Sequence, residues 1–250
     1  MDLGIAGKTA LVMGASRGIG RGIAAALARE EARVAMASRS RERVAQAAAE
    51  IEGETAAFEA HTSDLDRLAA LPDEVAGELG PVEILVTNTG GPPFGGALDH
   101  PREEWEEAYR SLVLAPRVLA EAALPGMRER GWGRIVNVGS SSVREPIPHL
   151  TLSNANRMAA IGFFKTLAGE VAADGITVNT VATGRFATDR LASNWGSWEE
   201  MERNAAEGVP AGRLGQPEEF GDLVAFLCSE RAAYLTGVVI PLDGGLLRSV

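Results

Sequence analysis

The 250-residue sequence is poor in the side chains that build disulfides and metal sites. It contains one cysteine, Cys228, and three histidines. A single cysteine cannot close an intrachain disulfide, and no histidine is spaced with a cysteine or a carboxylate in the manner of a ligand set. The sequence therefore predicts neither a disulfide-stabilised fold nor a metal site.

Long hydrophobic runs and an excess of basic residues are also missing. The longest uncharged stretch, residues 84–98, contains prolines and polar residues and is too short to span the ~30 Å hydrocarbon core of a bilayer. The first residues lack the basic and apolar regions of a signal peptide. A net charge of −10 disfavours binding to nucleic acid and to anionic membranes. We expect a soluble cytoplasmic protein that binds neither.

Short apolar runs alternate along the chain with segments of helical period. This alternation predicts parallel strands joined by crossover helices. We expect one α/β domain over residues 1–250, a doubly wound Rossmann-type fold with a seven-stranded parallel sheet. The predicted strands are 9–13, 33–38, 55–60, 84–88, 134–138, 176–181 and 238–241. Segment 188–215 interrupts the alternation and predicts a lid over a substrate.

The predicted helix 154–173 is apolar over more than one face, because Met158, Ile161 and Phe164 point in different directions around it. Such a helix needs two partners. One is the sheet, and the other is either a twin helix in a second copy of the chain or a thick core. We favour a homo-oligomer, a dimer or a tetramer.

A glycine-rich turn, Gly14, Gly18 and Gly20, follows the first predicted strand and precedes a helix. Glycines let the backbone approach a pyrophosphate, and the N-terminus of the helix directs N–H groups and a positive dipole at the anion. Tight turns also use glycines, so the spacing alone is a weak signal. The strand before the turn and the helix after it favour a dinucleotide-binding site.

With these motifs in place, the sequence resembles the short-chain dehydrogenase/reductase family almost end to end, and particularly its 3-oxoacyl-acyl-carrier-protein reductases. The C-terminal match is Leu242-Asp243-Gly244-Gly245, and Thr183 stands where the family usually has proline. The resemblance implies a nicotinamide dinucleotide held by Gly14, Ser16, Arg17, Gly18, Ile19, Gly20, Arg39, Asp64, Leu65, Asn88, Gly90, Gly184 and Thr188.

The end of the second predicted strand bears on the choice between NADP and NAD. Its residues, Ser38-Arg39, offer no carboxylate to a ribose 2′-hydroxyl, whereas Arg17 and Arg39 could both contact a 2′-phosphate. The alternative is that both arginines are solvated surface residues. We favour NADP, with NAD as the second choice.

The catalytic residues of the family are largely replaced. The resemblance places Ser140 at the family's serine, Ser153 at its tyrosine, Arg157 at its lysine and Leu112 at its asparagine. A serine hydroxyl is a far weaker acid than a phenol, and an arginine cannot shuttle protons, although it can hold an oxyanion or a ribose hydroxyl.

Two nearby residues offer partial substitutes. Pro116 removes the N–H that would bond the Leu112 carbonyl, which predicts a kink and a free carbonyl where the family is thought to hold a relay water. The alternative is a bent surface helix. His149 could donate a proton near neutral pH, although histidines in loops are mostly just solvated.

Three functions follow from these residues. The first is an NADP-linked oxidoreductase that acts on a ketone or an acyl thioester through Ser140, Ser153 and Arg157. The second is a catalytically silent nucleotide-binding protein, serving as a redox sensor or as the partner subunit of an active relative. The third, a structural oligomer without nucleotide, leaves the glycine turn unexplained.

Overall fold

A computed structural model describes residues 1–192, 200 and 206–249. It contains a parallel sheet of seven strands in the order β3-β2-β1-β4-β5-β6-β7. The predicted α/β architecture is confirmed. The strands are β1 (Thr9–Met13), β2 (Arg33–Ser38), β3 (Thr55–Glu59), β4 (Val82–Thr87), β5 (Gly133–Val138), β6 (Ile176–Thr183) and β7 (Val239–Leu242).

The predicted strands 9–13 and 33–38 have the observed bounds, and the other five differ at one or both ends by one or two residues. The largest shift is in β4, predicted at 84–88. Asn88 lies outside β4, and its side chain contacts the glycine turn by donating to the Gly14 carbonyl at 3.4 Å. Strand ends are set by such loop contacts, which the apolar pattern does not encode.

Helices cover both faces of the sheet, which explains why the central strands are buried on both sides. One core lies under α1 and α8, and the other under α3, α5 and α6. The helices are α1 (Gly18–Arg29), α2 (Arg41–Ala49), α3 (Leu65–Leu79), α4 (Arg102–Tyr109), α5 (Ala115–Arg130), α6 (Thr151–Val171), α7 (Asp189–Ala192) and α8 (Pro217–Leu227).

Helix α6 begins at Thr151 and ends at Val171, rather than spanning 154–173 as predicted. Its buried face includes Ala160, Phe164 and Leu167 and packs into the core. Met158, on the opposite side, is 51% exposed. The second apolar face of the predicted helix therefore lies at the surface of this chain rather than inside a thick core.

The order of the strands determines where the ligand crevice lies. Strand β1 pairs with β2 on one side and with β4 on the other, and the chain reaches β4 only after β3 at the far edge, so the strand order reverses between β1 and β4. In open parallel sheets, ligands bind outside the carboxyl ends of the strands at this switch point. The glycine turn after β1 and Asn88 after β4 both lie there.

Helices α1 and α8 approach each other through glycines. A Cβ on Gly221 of α8 would overlap the carbonyl oxygen of Gly22 and lie 2.9 Å from the Ala26 side chain. This close contact fixes the helix that follows the glycine turn. The chain can pack so tightly only because neither position carries a side chain.

We expect Gly221→Ala to lower the free energy of unfolding by about 1–3 kcal/mol, because the added methyl group overpacks this contact. Urea denaturation followed by circular dichroism measures the change. Gly77→Ala is the matched control: Gly77 lies inside α3 with no neighbour within 4 Å of the added Cβ, and alanine there should leave the protein equally stable or more stable. Equal destabilisation by the two variants would contradict the packing argument.

The predicted lid, 188–215, is only partly described. Residues 193–199 and 201–205 lie outside the described residues. The base of the segment is closed by backbone bonds: Ala187 N–H donates to the Gly215 carbonyl at 2.9 Å, and Gly215 N–H donates to the Arg185 carbonyl at 3.0 Å. Helix α8 begins directly after this closure.

The start of α8 is stabilised by the Glu219 carboxylate. It accepts from the backbone N–H of Gln216 at 2.8 Å and from the Arg213 guanidinium at 2.6 and 2.8 Å. The Arg213 hydrogen bond, followed by the Gln216 N–H, lowers the pKa of Glu219 from 4.5 to about 2. Ionised Glu219 is therefore the form that the fold favours.

We expect Glu219→Gln to lower the free energy of unfolding by about 1 kcal/mol at pH 7, because the pair is partly exposed and screened by solvent. A depressed carboxyl pKa contributes stability above the unfolded value and loses it as the pH falls through the folded value. The difference between wild type and variant should therefore shrink between pH 4.5 and about 2. Urea titrations across this range test it, and a difference that stays constant would contradict the assignment.

Among the residues described, no helix combines the length and the apolar character needed to cross a membrane.

Candidate functional site

The turn after β1 can be built only from glycine at key positions. Gly14 and Gly18 adopt φ angles of +62° and +53°, in the left-handed region that other residues rarely adopt. A Cβ on Gly20 would overlap the Gly14 carbonyl oxygen and lie 2.7 Å from Nδ2 of Asn88. Backbone therefore replaces side chains here, and this leaves a cradle that a phosphate group can approach.

The N-terminus of α1 faces this cradle. The helix begins at Gly18, its N-cap residue Arg17 gives it no side-chain cap, and its first turn carries no acidic residue. Its first N–H groups and its positive dipole end are thus available to an anion. Ser16 and Ile19, both partly buried, lie on the same turn. This donor set fits the pyrophosphate of a dinucleotide.

The end of β2 lies beside the glycine turn, because Ala15 N–H donates to the Ala37 carbonyl at 3.1 Å. Ser38 is buried and donates its hydroxyl to the Ser40 carbonyl, whereas Arg39 is exposed. As predicted from the sequence, no carboxylate ends this strand. Arg17 is also exposed, but its guanidinium pairs with the Asp189 carboxylate at 3.2 Å.

The other predicted cofactor residues surround the same crevice. Asp64 caps α3, with Oδ1 accepting from the Arg67 N–H at 3.0 Å, and Leu65 follows it as the first residue of that helix. Thr188 lies against the glycine turn, since a Cβ on Gly18 would come within 3.3 Å of its methyl group. Gly184 donates to the Leu242 carbonyl at 3.0 Å. Contact of these residues with a cofactor stays a prediction.

Asn179, which lies in β6 before Gly184, supports the fold. Its side chain is buried in β6, where Nδ2 donates to the Leu235 carbonyl and Oδ1 accepts from the Val238 N–H. Both bonds hold the loop that precedes β7. Asn179 therefore supports the sheet and does not line the crevice.

The three candidate catalytic residues come from β5 and α6. Ser140 follows β5, and its hydroxyl oxygen accepts from the Ser142 N–H at 3.1 Å. Ser153 is buried on the first turn of α6, one helical turn before Arg157. No tyrosine or lysine lies in this part of α6 before Lys165. Ser140 and Ser153 thus offer hydroxyl groups in place of the phenol that the resemblance implies.

Arg157 joins the ends of two strands. Nη1 donates to the carbonyl of Val138 at 2.9 Å, and Nη2 lies 3.5 Å from the carbonyl of Gly90. Val138 ends β5, and Gly90 lies in the segment that follows β4. The guanidinium therefore brings a fixed positive charge to the carboxyl ends of β4 and β5, beside the switch point between β1 and β4.

The helix that faces α6 is distorted near the predicted kink. A π-helical turn, Arg110–Leu114, separates α4 from α5, and Ala115 N–H donates to the Arg110 carbonyl five residues back. Pro116 lacks an N–H, so the normal ladder cannot run through it. The distortion was predicted as a kink and is observed as a π-turn. A free Leu112 carbonyl stays a prediction.

A contact that the sequence did not indicate ties the loop after β4 to the start of α6. Gly95 N–H donates to the His149 carbonyl at 2.9 Å, and Gly95 pairs with Leu150 as an isolated parallel bridge. His149 is exposed and adopts a φ of +60°. Phe94, next to Gly95, is 52% exposed. An apolar side chain thus lies on the loop nearest to the first turn of α6.

The described part of the chain offers the residues for neither a metal site nor a reactive thiol. No group of three histidine, cysteine, aspartate or glutamate side chains within residues 1–192 and 206–249 could hold a metal ion. Burial raises the pKa of the Cys228 thiol to about 12, so this thiol stays protonated and is a poor nucleophile.

Comparison with known proteins identifies the family. A family model described as enoyl-(acyl carrier protein) reductase matches residues 14–247. A 3-oxoacyl-[acyl-carrier-protein] reductase of Vibrio cholerae is 38% identical over 98% of this chain and 99% of its own. The human dehydrogenase/reductase SDR family member 4 is 36% identical over 96% of this chain and 88% of its own. The chain belongs to the short-chain dehydrogenase/reductase family.

Among solved structures, L-sorbose reductase from Gluconobacter frateurii, in complex with NADPH and L-sorbose, superposes with a TM-score of 0.95. The two chains are 31% identical, and each is covered completely. The matched part of this short-chain dehydrogenase/reductase includes every candidate cofactor and catalytic residue discussed above.

Proposed function

We propose that this short-chain dehydrogenase/reductase is an NADP(H)-dependent oxidoreductase that interconverts a ketone, such as a 3-oxoacyl thioester, and the corresponding alcohol. The observation that carries the proposal is the position of Arg157. Its guanidinium lies between the Val138 and Gly90 carbonyls, at the sheet edge where the glycine turn forms a cradle fitted to a dinucleotide. The relatives named above support a nicotinamide cofactor.

The glycine turn and the N-terminus of α1 would hold the pyrophosphate, and Arg17 and Arg39 would hold a 2′-phosphate. When bound, the nicotinamide supplies or accepts the hydride. The Ser140 hydroxyl polarises the carbonyl oxygen of the substrate, and Arg157 anchors that oxygen or a ribose hydroxyl. Ser153, or a water molecule beside it, relays the proton. The exposed Phe94 lies on the loop that would contact the substrate.

One observation favours a second candidate, a catalytically silent nucleotide-binding protein. The serine at position 153 is a weak acid, and at least one N–H of Arg157 is already bonded to the Val138 carbonyl. General acid catalysis typically contributes ~10²–10⁴-fold to a rate, so its loss could leave nucleotide binding without useful turnover. Such a protein would act as a redox sensor or as a partner subunit.

Titration of the purified protein with NADPH and NADH, followed by nicotinamide fluorescence, separates these functions. We expect saturable binding with a lower Kd for NADPH, and then oxidation of the bound nucleotide when a 3-oxoacyl thioester is added. Binding without oxidation on a panel of ketones would support the silent protein. An absence of binding to both nucleotides would overturn the proposal.

We also propose that the protein is a dimer or tetramer of identical chains. The outer face of α6 leaves Ala155, Met158 and Ala159 exposed, and these small or apolar side chains could pack against a twin helix. Light scattering on the purified protein gives the mass directly. A mass of 26.2 kDa, that of one chain, would contradict this assembly.

A further inference from the structure

Arg17 has a partner whose charge competes with any phosphate group. Nη1 of Arg17 lies 3.2 Å from Oδ2 of Asp189, across 172 residues of sequence. Both side chains are more than half exposed, at 58% and 57%. The guanidinium is therefore bonded to a carboxylate at the edge of the glycine turn, and solvent or a ligand can reach both groups.

The surroundings of this pair fix its position relative to the glycine turn. Asp189 follows Thr188, whose methyl group lies within 3.3 Å of a Cβ placed on Gly18. Thr188 in turn accepts from the Leu191 N–H through its carbonyl oxygen at 2.9 Å. The carboxylate is thus held beside the N-terminus of α1, with its negative charge directed at the Arg17 guanidinium.

We propose that Asp189 sets the preference between the two nicotinamide dinucleotides by competing with the 2′-phosphate for Arg17. This inference rests on the proposed function. A 2′-phosphate that bonds Arg17 must displace the Asp189 carboxylate or share the guanidinium with it, and the two anions repel each other. NADH lacks this phosphate, so Asp189 has no such effect on its binding.

The competition links the cofactor to the segment that follows Asp189. Arg17 holds Asp189 when no phosphate is present and releases it when a 2′-phosphate takes its place. The short helix α7, which begins at Asp189, then loses this ion pair, while Thr188 keeps its place against Gly18.

Substitution of Asp189 by asparagine tests the competition while keeping the size of the side chain. We expect Asp189→Asn to lower the Kd for NADPH by about two- to fivefold, the range that exposed ion pairs allow, and to leave the Kd for NADH unchanged. Fluorescence titration of wild type and variant with both nucleotides measures the effect. The gain in affinity for NADPH should shrink at about 0.5 M salt, because salt screens exposed ion pairs.

Two further variants test whether the effect on NADPH binding comes from the Arg17–Asp189 pair. Asp222→Asn removes the same charge from an exposed carboxylate that pairs with Arg29 at the other end of α1, and it should leave both Kd values unchanged. In an Arg17→Gln background, Asp189→Asn should lose most of its effect on NADPH, because the two residues act through one contact.

The outcomes are distinguishable. A lower Kd for NADPH alone, dependent on Arg17, supports the competition. An unchanged or higher Kd for NADPH in Asp189→Asn, or an equal change for NADH, overturns the inference and leaves the proposed function standing. If the wild-type protein binds neither nucleotide, the proposed function fails and the inference fails with it.

Discussion

Replacing Gly20 by alanine should raise the Kd for NADPH by about 10- to 100-fold. The added methyl group would overlap the Gly14 carbonyl oxygen and press against the Asn88 side chain, so the turn must open. Overpacking of this kind costs about 1–3 kcal/mol, and here the strain falls on the backbone that would contact the pyrophosphate. Fluorescence titration with NADPH measures the change.

Gly77→Ala is the matched control for this variant. Gly77 lies within α3, and no neighbouring residue lies within 4 Å of its added Cβ, so alanine there should leave the Kd for NADPH within about twofold of wild type. Circular dichroism should show that Gly20→Ala keeps its helices. A Gly20→Ala protein that is folded and binds NADPH as tightly as wild type would contradict the placement of the dinucleotide at this turn.

Replacing Arg157 by methionine should lower kcat/KM for a 3-oxoacyl thioester by about 100-fold. The guanidinium is the charge fixed between the ends of β4 and β5, through the Val138 and Gly90 carbonyls. Loss of one preorganised group that stabilises an oxyanion typically costs ~10²–10³ in rate. Methionine keeps the length and apolar stem of the side chain and removes the charge and the donors.

Two variants control for the loss of charge. Lys165→Met removes a cation on the same helix whose Nζ also donates to a backbone carbonyl, that of Gly237, at 2.8 Å, and it should leave kcat/KM nearly unchanged. Arg157→Lys should recover part of the activity, because an ammonium keeps the charge but lacks the planar fork of donors. If Arg157→Met turned over within threefold of wild type, Arg157 would have no part in the reaction.

The architecture was predictable because it is encoded locally. Buried parallel strands are short and apolar on both faces, and helices whose apolar residues recur at helical spacing connect one strand to the next. The first strand, Thr9–Met13, and the glycine turn after it follow this logic directly. The crevice follows as well, because the switch point lies between β1 and β4, where the strand order reverses.

The contacts that shape the site are encoded differently. Arg157 bonds the backbone carbonyls of Val138 and Gly90, and a carbonyl group is common to every residue, so the sequence carries no mark of its partners. Arg17 was predicted to contact a phosphate, and the structure pairs it with Asp189. The resemblance to the family predicted a cofactor contact for Thr188 and no role for the neighbouring Asp189 carboxylate.

The loop after β4 also has contacts that could not be predicted from the sequence. The sequence predicted that Asn88 and Gly90 contact a cofactor and that residues 84–98 are too short and too polar to span a membrane, but it gave no path for the loop. The Gly95 N–H donates to the carbonyl of His149, which adopts a φ of +60°, a conformation that sequence rarely indicates for a residue other than glycine. Neither this bond nor the exposure of Phe94 was predicted.

Hydride transfer itself is the most direct test of this account. Wild-type protein would be incubated with NADPH carrying deuterium at C4 of the nicotinamide, in each stereochemical position in turn, and with a 3-oxoacyl thioester. Mass spectrometry of the alcohol product then locates the label. We predict one deuterium on the carbinol carbon from one of the two labelled nucleotides. A protein that binds NADPH but yields no labelled alcohol from this thioester or from a panel of ketones would contradict the account.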